Sequence, residues 1–372
     1  RIETPAPKSN EASKAAVKFI SLMGLVSLLG DVAYEGGRSL IGPYLAILGA
    51  SPAVVGVSAG AGELIGFGVR LFSGWLADRT GRHWPLLYLG YGLILAVPLL
   101  AVASSWQVAV ALILAERLGK AIRAPAKDVM LSCASSQVGR GFGFGLHEAL
   151  DQIGAVMGPL ALATILYYQL GYQAAFGFLA IPAMLALAVL WRVQRFCPQP
   201  GDFEKSAIFS IGPGLPRVFW LYLGAVALIA LGYADFALMA FHFKKTGLVG
   251  EAWIPGLYAL AMAADALAAL TLGRLFDRLG VRLLMATAPL SALFAPLAFW
   301  GGLPWATLGL VFWGLGLGVQ ESILRAAIAN MVLPERRGTA YGLFNAVYGV
   351  SWFLGSAVMG LVYEHSLGGL IL

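Results

Sequence analysis

The stretch Gly74-Trp75-Leu76-Ala77-Asp78-Arg79-Thr80-Gly81-Arg82 returns in altered form as Gly273-Arg274-Leu275-Phe276-Asp277-Arg278-Leu279-Gly280-Val281-Arg282. Both copies fit G-x-L-x-D-R-x-G, and each closes one long apolar run and opens another. A charged hairpin doubled between hydrophobic spans points to a membrane protein built from two related halves.

Composition agrees. Hydrophobic residues make up 59% of the chain and charged residues only 12%, outside the range of soluble globular domains. A bilayer core roughly 30 Å thick takes about 20 apolar residues of helix. The runs are long and rich in Leu, Ala and Gly, without the short alternation of barrel strands, so the spans read as helices. The net charge of +6 would suggest nucleic acid in a soluble protein. Here the basic residues sit in short loops, where they orient the chain, and no nucleic-acid partner is expected. Cys133 and Cys197 fall near span ends, and the chain shows neither a disulfide framework nor a metal-ligand set.

Spans are expected at about 17–48, 53–77, 84–104, 106–131, 140–168 and 172–195, then 217–243, 252–277, 283–301, 304–331 and 338–362. The first is too long and too interrupted by charge for a cleaved signal peptide. Residues 1–196 form one unit, 197–216 a polar cytoplasmic linker and 217–372 a second unit. After Tyr363 a twelfth span should begin, so that helix is expected to be cut short. Lys14, Lys18, Arg79, Arg82, Arg140, Arg192, Arg195, Arg278, Arg282 and Arg337 fall on one side, and only Lys244 and Lys245 oppose them. The amino terminus is therefore expected in the cytoplasm.

The repeat extends beyond the hairpin. Gly141, Gly145, Leu146, Ala149 and Gly158 align with Gly338, Gly342, Leu343, Ala346 and Gly355, each pair 197 positions apart. Arg123-Ala124 matches Arg325-Ala326, with Asp128 against Asn330. On these motifs the chain resembles a major facilitator superfamily transporter over its full length, the Gly74–Arg82 stretch being that family's loop between helices two and three. The resemblance implies an all-α membrane protein of two pseudo-symmetric six-helix bundles, working by alternating access. It further implies a small-molecule substrate, no cofactor, a monomer and a multi-pass place in a bacterial inner membrane.

It also implies roles for motif residues. Asp78 would face the start of helix eleven near Gly338, and Asp277 the start of helix five near Gly141. A carboxylate beside a helix amino terminus gains about 0.3–1 kcal/mol, so these contacts would latch the halves, while Arg79, Arg82 and Arg278 hold the cytoplasmic side. Gly74, Gly81 and Gly273 belong to the same gating motif. Gly145, Gly154, Gly158 and Pro159 resemble the antiporter motif G-x8-G-x3-G-P-x2-G-G at four of six positions, Leu162 and Ala163 replacing the last glycines. That favours a drug:proton antiporter-like exporter; ordinary small-residue packing is the alternative.

Charges interrupt the spans. Asp31, Glu35 and Arg38 share a face of helix one; Glu116, Lys120, Arg123 and Lys127 share a stripe of helix four; His147 and Asp151 share a face of helix five beside Glu148. Glu63, Arg70, Asp235, Asp265, Glu321 and Arg325 lie in other spans. Charges so deep face a cavity or pair with one another. One reading is structural, with Arg117 and Arg70 pairing near the cytoplasmic end. The other is proton coupling, since a carboxylate that alternates between a dry setting and a cation's company changes its proton affinity. Its candidates are Asp31, Glu35, Glu116, His147, Glu148 and Asp151. Arg38, Lys120 and Arg123 are then charge partners or anchors for an anionic substrate. Arg117 occupies the position of the superfamily's helix-four arginine, where Lys120 and Ala121 replace the usual Gln and Gly. His242, beside Lys244 and Lys245, is expected to face solvent.

Tyr34, Tyr233, Asp235, Asn345, Tyr348 and Trp352 lie on helices that flank the central cavity of this fold, as substrate contacts or as core filling. The leading expectation is a proton-coupled exporter of a small organic solute, and the alternative is symport or facilitated uptake of an anionic metabolite. Direct ATP use is not expected, because no Walker loop occurs. An intramembrane enzyme or a transporter-like sensor is a distant alternative, since no H-E-x-x-H, nucleophile motif or appended soluble domain appears.

Overall fold

A computed structural model describes residues 10–135, 138, 140–197, 215–279, 282–320, 324–332 and 337–371. No strand occurs among them. The helices are α1 (Asn10–Ile47), α2 (Pro52–Thr80), α3 (His83–Val102), α4 (Trp106–Ser135), α5 (Arg140–Tyr167) and α6 (Gly171–Phe196). They continue with α7 (Arg217–Thr246), α8 (Trp253–Leu279), α9 (Leu283–Trp300), α10 (Leu303–Gly318 and Leu324–Met331), α11 (Arg337–His365) and the short α12 (Leu367–Ile371). Among the described residues, eight helices are long and apolar enough to cross a membrane. α4 carries too many charges to count among them, and its Glu116, Arg117 and Arg123 are buried inside the protein instead.

Local sequence explains the ends. Ser51 caps α2 by accepting from the Val54 amide at 3.4 Å, with Pro52 at the first helical position. Gly81 stops α2 at φ 61°, and its N–H bonds the Ala77 carbonyl at 2.9 Å. A left-handed residue here turns the chain sharply into α3, which accounts for the second glycine of the hairpin motif.

Packing repeats between the halves. α2 lies along α11 and α8 along α5, the same contact seen from either side of a pseudo-twofold axis. α5 packs on α1 as α11 packs on the first part of α7. A Cβ at Gly158 would drive into the Val32 carbonyl oxygen, and one at Gly355 into that of Leu231. The two glycines, 197 positions apart, thus make equivalent backbone approaches in the two bundles.

Two helices depart from expectation. α7 is not continuous: it unwinds between Leu231 and Phe236, where Gly232 ends one segment and Asp235 caps the next by accepting from the Ala237 amide at 3.0 Å. α10 changes to a π-helical turn at Val319 and Gln320, and Glu321 just beyond lies outside the described residues. The expected linker over 197–216 also lies outside them, apart from Cys197, Leu215 and Pro216.

Candidate functional site

A cavity of about 420 Å³ lies between the halves, walled by α1, α2, α4 and α5 on one side and by α8, α10 and α11 on the other. The first wall is ionic. Asp31, Tyr34, Glu35 and Arg38 come from α1, Glu63 and Arg70 from α2, Arg117, Lys120 and Lys127 from α4, and Glu148 and Asp151 from α5. The facing wall offers Met262, Leu317, Phe344, Tyr348 and Trp352, with Gln320 and Asp265 as its polar members.

Arg38 organises one end of this space. It is 8% exposed, and its guanidinium lies 3.2 Å from Asp235, 3.5 Å from Glu63 and 3.9 Å from Glu35. Asp235 can receive it because the break in α7 turns that carboxylate toward α1. Glu63 also pairs with Arg117 at 3.0 Å, and Arg117 donates to the Tyr34 hydroxyl. Tyr258 of α8 donates to Glu35 at 2.5 Å. Lys120 sits 3.8 Å from Glu35 and 3.9 Å above the Tyr34 ring. Two of these bonds, Arg38 to Asp235 and Tyr258 to Glu35, cross between the halves, and both start from one turn of α1. Arg38 and Asp235 are 197 residues apart, the offset that relates Gly158 to Gly355.

Beyond that turn the halves touch closely. A Cβ at Gly42 would strike the Ala237 carbonyl oxygen, and Glu364 accepts from the Ala53 amide at 3.2 Å. The end bearing the α1–α2 loop is therefore shut. In the other direction the cavity wall runs to Asp128 and Glu148, which are exposed.

A second polar cluster ties α1, α3, α4 and α5 together. The Ser27 hydroxyl lies 2.9 Å from His147 Nε2, 3.2 Å from the Tyr91 hydroxyl and 3.2 Å from Lys127 Nζ. Asp151 is 3.7 Å from Lys127 and 3.9 Å from His147 Nδ1. Deeper in the bundle Glu116 pairs with Arg123 at 3.5 Å; Arg123 also donates to the Gly90 carbonyl and lies 5.0 Å over the Tyr91 ring. Asp31 lines the cavity on the same helix as both Ser27 and Glu35, and has no ion-pair partner within 4 Å among the described residues.

The structure thus brings Asp31, Tyr34, Glu35, Arg38, Arg117, Lys120, Glu148, Asp151, Tyr348 and Trp352 to one cavity. Other residues singled out in the sequence lie off it. Glu116, Arg123 and His147 are buried behind the wall and do not line it. Asp235 stands behind Arg38. Tyr233 turns into the core, donating to the Trp313 carbonyl and packing on Phe294 and Trp352, and Asn345 does not line the cavity. Arg117 pairs at the centre with Glu63, away from the cytoplasmic end. His242 is 5% exposed, bonded to the Tyr363 hydroxyl at 2.8 Å and packed on Phe299, so it does not face solvent. Gly145 faces open space, whereas Gly154 and Gly158 press on α1 carbonyls and Pro159 follows inside the helix. In the hairpin motif Gly74 rests on Pro125, Arg79 stacks over Trp75 and Arg82 is exposed. The side chains of Asp78, Asp277 and Arg278, with Gly273, lie outside the described residues. Sequence reasoning missed Tyr258, Phe67 and Phe344: an aromatic residue in an apolar span gives no sign of which way it points.

A pseudo-twofold pair of helical bundles enclosing a polar cavity between them defines a multi-pass membrane transporter. The family model "Major Facilitator Superfamily" matches residues 26–356, and the chain belongs to that family. An uncharacterised protein of Mycobacterium tuberculosis is 44% identical over 365 residues, covering 96% of this chain and 89% of the relative. An uncharacterised MFS-type transporter of Methanocaldococcus jannaschii is 26% identical over 96% of this chain and 92% of its own length. Among solved structures, the nucleoside transporter NupG superposes with a TM-score of 0.73 at 15% identity, over 95% of this chain and 93% of that one. That likeness speaks for the fold alone.

Proposed function

We propose that the protein exchanges protons for a small organic solute by alternating access, exporting the solute as a monomer in a bacterial inner membrane. The observation that carries this reading is Asp31, a carboxylate on the cavity wall without an ion-pair partner of its own among the described residues, flanked by the Glu35–Lys120 pair and the Asp151–Lys127 pair. An acid so placed can take a proton from water in the cavity and give it up when a cation moves close. Glu35, Asp151 and Glu148 share the cavity with it, while His147 stands behind the wall, next to Asp151 and joined to Lys127 through Ser27.

With the amino terminus in the cytoplasm, the shut end faces outward and the cavity opens to the cytosol. Protonation along α1 would weaken the hold of Glu35 and Arg38 on the second half and free the two halves to rock, the proton entering from the outer side and leaving to the cytosol as solute travels out. Asp78 and Asp277 would then latch the cytoplasmic end at the starts of α11 and α5. Uptake of an anionic metabolite is less well served. Arg38 is already shared by three carboxylates, Arg117 is held by Glu63, and Arg123 is off the cavity.

The test is proteoliposomes loaded with a pH-reporting dye and challenged with a panel of metabolites and drugs. An exchanger gives solute-dependent proton movement opposite to the solute. Solute flux that ignores an imposed pH gradient of either sign would sink the coupling.

A further inference from the structure

α2 starts at the shut end, and the donors of its first turn can be accounted for one by one. Pro52, at the first helical position, has no N–H. The Val54 amide goes to the Ser51 side chain at 3.4 Å, and that of Val55 to the Ser51 carbonyl at 3.1 Å. The Ala53 amide is left, and its partner comes from the other half. Glu364, in the last turn of α11, accepts from it at 3.2 Å. The Ser51 hydroxyl stands beside the same carboxylate.

A carboxylate in the last turn of a helix is badly placed on its own account, because the free carbonyls there repel it. Glu364 offsets this by lying against the positive amino-terminal end of α2. Both groups lose when the ends part: Ala53 gives up its acceptor, and Glu364 is returned to the carbonyls of its own helix.

The packing beneath gives this bond its leverage. α2 and α11 run antiparallel with their backbones touching. A Cβ at Gly56 would strike the Ser356 carbonyl oxygen, one at Gly60 that of Phe353, and one at Gly360 that of Pro52. Contact of this kind is dispersion, much of it lost within about 1 Å of separation. The Ser356 hydroxyl, on a residue 2% exposed, is buried in the seam without a partner. Parting the seam would wet that hydroxyl, which favours opening.

We infer that Glu364 is the latch of the shut end: it caps a helix of one half from the last turn of a helix of the other, and the bond breaks each time that end opens. Glu251, a second carboxylate at this end, pairs with Lys244 of its own half and so does not tie the halves. The latch rests on alternating access, one part of the proposed reading, and on neither the proton nor the solute.

The test is the accessibility of the seam in the purified full chain in lipid nanodiscs. Ser356→Cys, in a background lacking Cys133 and Cys197, places a thiol inside the seam at the cost of no hydrogen bond. A small water-soluble maleimide reaches it only when the shut end opens. Glu364→Ala should speed its labelling about threefold, the effect of an exposed carboxylate at a helix amino terminus. Glu364→Gln keeps an oxygen for Ala53 and loses the charge, so its rate should fall between the two. Glu251→Ala should label at the parental rate. Cys133, buried in the first bundle and kept as the sole cysteine in a parallel set, should react no faster in Glu364→Ala, which separates opening from general loosening. An unchanged rate at position 356 in Glu364→Ala, an equal rise in Glu251→Ala, or an equal rise at Cys133 overturns the latch while alternating access stands. A thiol at position 356 that reacts in no variant contradicts alternating access, and the latch with it. Solute flux blind to pH would remove proton coupling and leave the latch in place.

Discussion

Arg38 sits among three carboxylates contributed by α1, α2 and α7, and its burial makes that company necessary. Removing one partner of a buried ion pair strands the rest and costs about 3–5 kcal/mol. Arg38→Leu should therefore lower the thermal unfolding temperature sharply, as read by differential scanning fluorimetry in detergent; a variant as stable as wild type would show that the cluster is only loosely held. Asp31 should behave oppositely, since it has no ion-pair partner to strand among the described residues. Asp31→Asn is expected to fold normally and to lose proton-driven solute flux, at least tenfold in initial rate, or about 1.4 kcal/mol of coupling. Unchanged pH-driven flux would remove Asp31 from the mechanism. The identity of these charged residues was legible in the sequence, but their partners were not. Periodicity put Asp31, Glu35 and Arg38 on one face, yet nothing in α1 says that the face meets Asp235 or Tyr258, far along the chain in the second half. His242 shows the same limit: a histidine beside two lysines reads as surface, and only the packed neighbours Tyr363 and Phe299 reveal a buried one.

At the scale of the helix, the glycines of α5 and the break in α7 have the clearest consequences. Gly158 lets α5 lie against the α1 backbone, so Gly158→Leu should force the helices apart at a cost of about 1–3 kcal/mol for overpacking. Reduced thermal stability with loss of transport is the expected result, and wild-type behaviour would show the close approach to be incidental. Gly145→Ala, facing open space, should leave both untouched. Gly154 and Gly158 were therefore well marked by spacing, whereas Gly145 fitted the pattern without sharing the packing. In α7, Asp235 both caps a helix and holds Arg38. Asp235→Ala removes the cap, worth about 1 kcal/mol, together with one of the two polar bonds that join α1 to the second half among the described residues. It should shift the protein toward the outward-open form, seen as faster labelling of a cysteine introduced at Ala237, which is buried at that contact; unchanged labelling would mean that the pair does not hold the outer end. The break was foreshadowed by Gly232 and Asp235 close together, a stop and a cap, but high hydropathy on both sides masked it as one continuous span.

The molecule as a whole reads as two bundles sharing a polar seam, shut at one end by Arg38–Asp235, Tyr258–Glu35 and close backbone contact at Gly42. The architecture was the most legible level, because a repeated motif and a count of apolar runs are properties of sequence alone. The cavity was less so: it depends on helix rotation, which placed Tyr348 and Trp352 on its wall but left Asn345 off it and turned Tyr233 into the core. In the proposed mechanism the two ends open in alternation and protons set the balance. Double electron–electron resonance tests it most directly, with one spin-label pair at Ile47→Cys and Gly250→Cys on the shut end and another at Arg79→Cys and Leu275→Cys on the far end, in a background lacking Cys133 and Cys197. On acidification the first distance should lengthen as the second shortens, and Asp31→Asn should abolish the dependence on pH. Distances that stay fixed with pH, or that change together in the same direction, would contradict it.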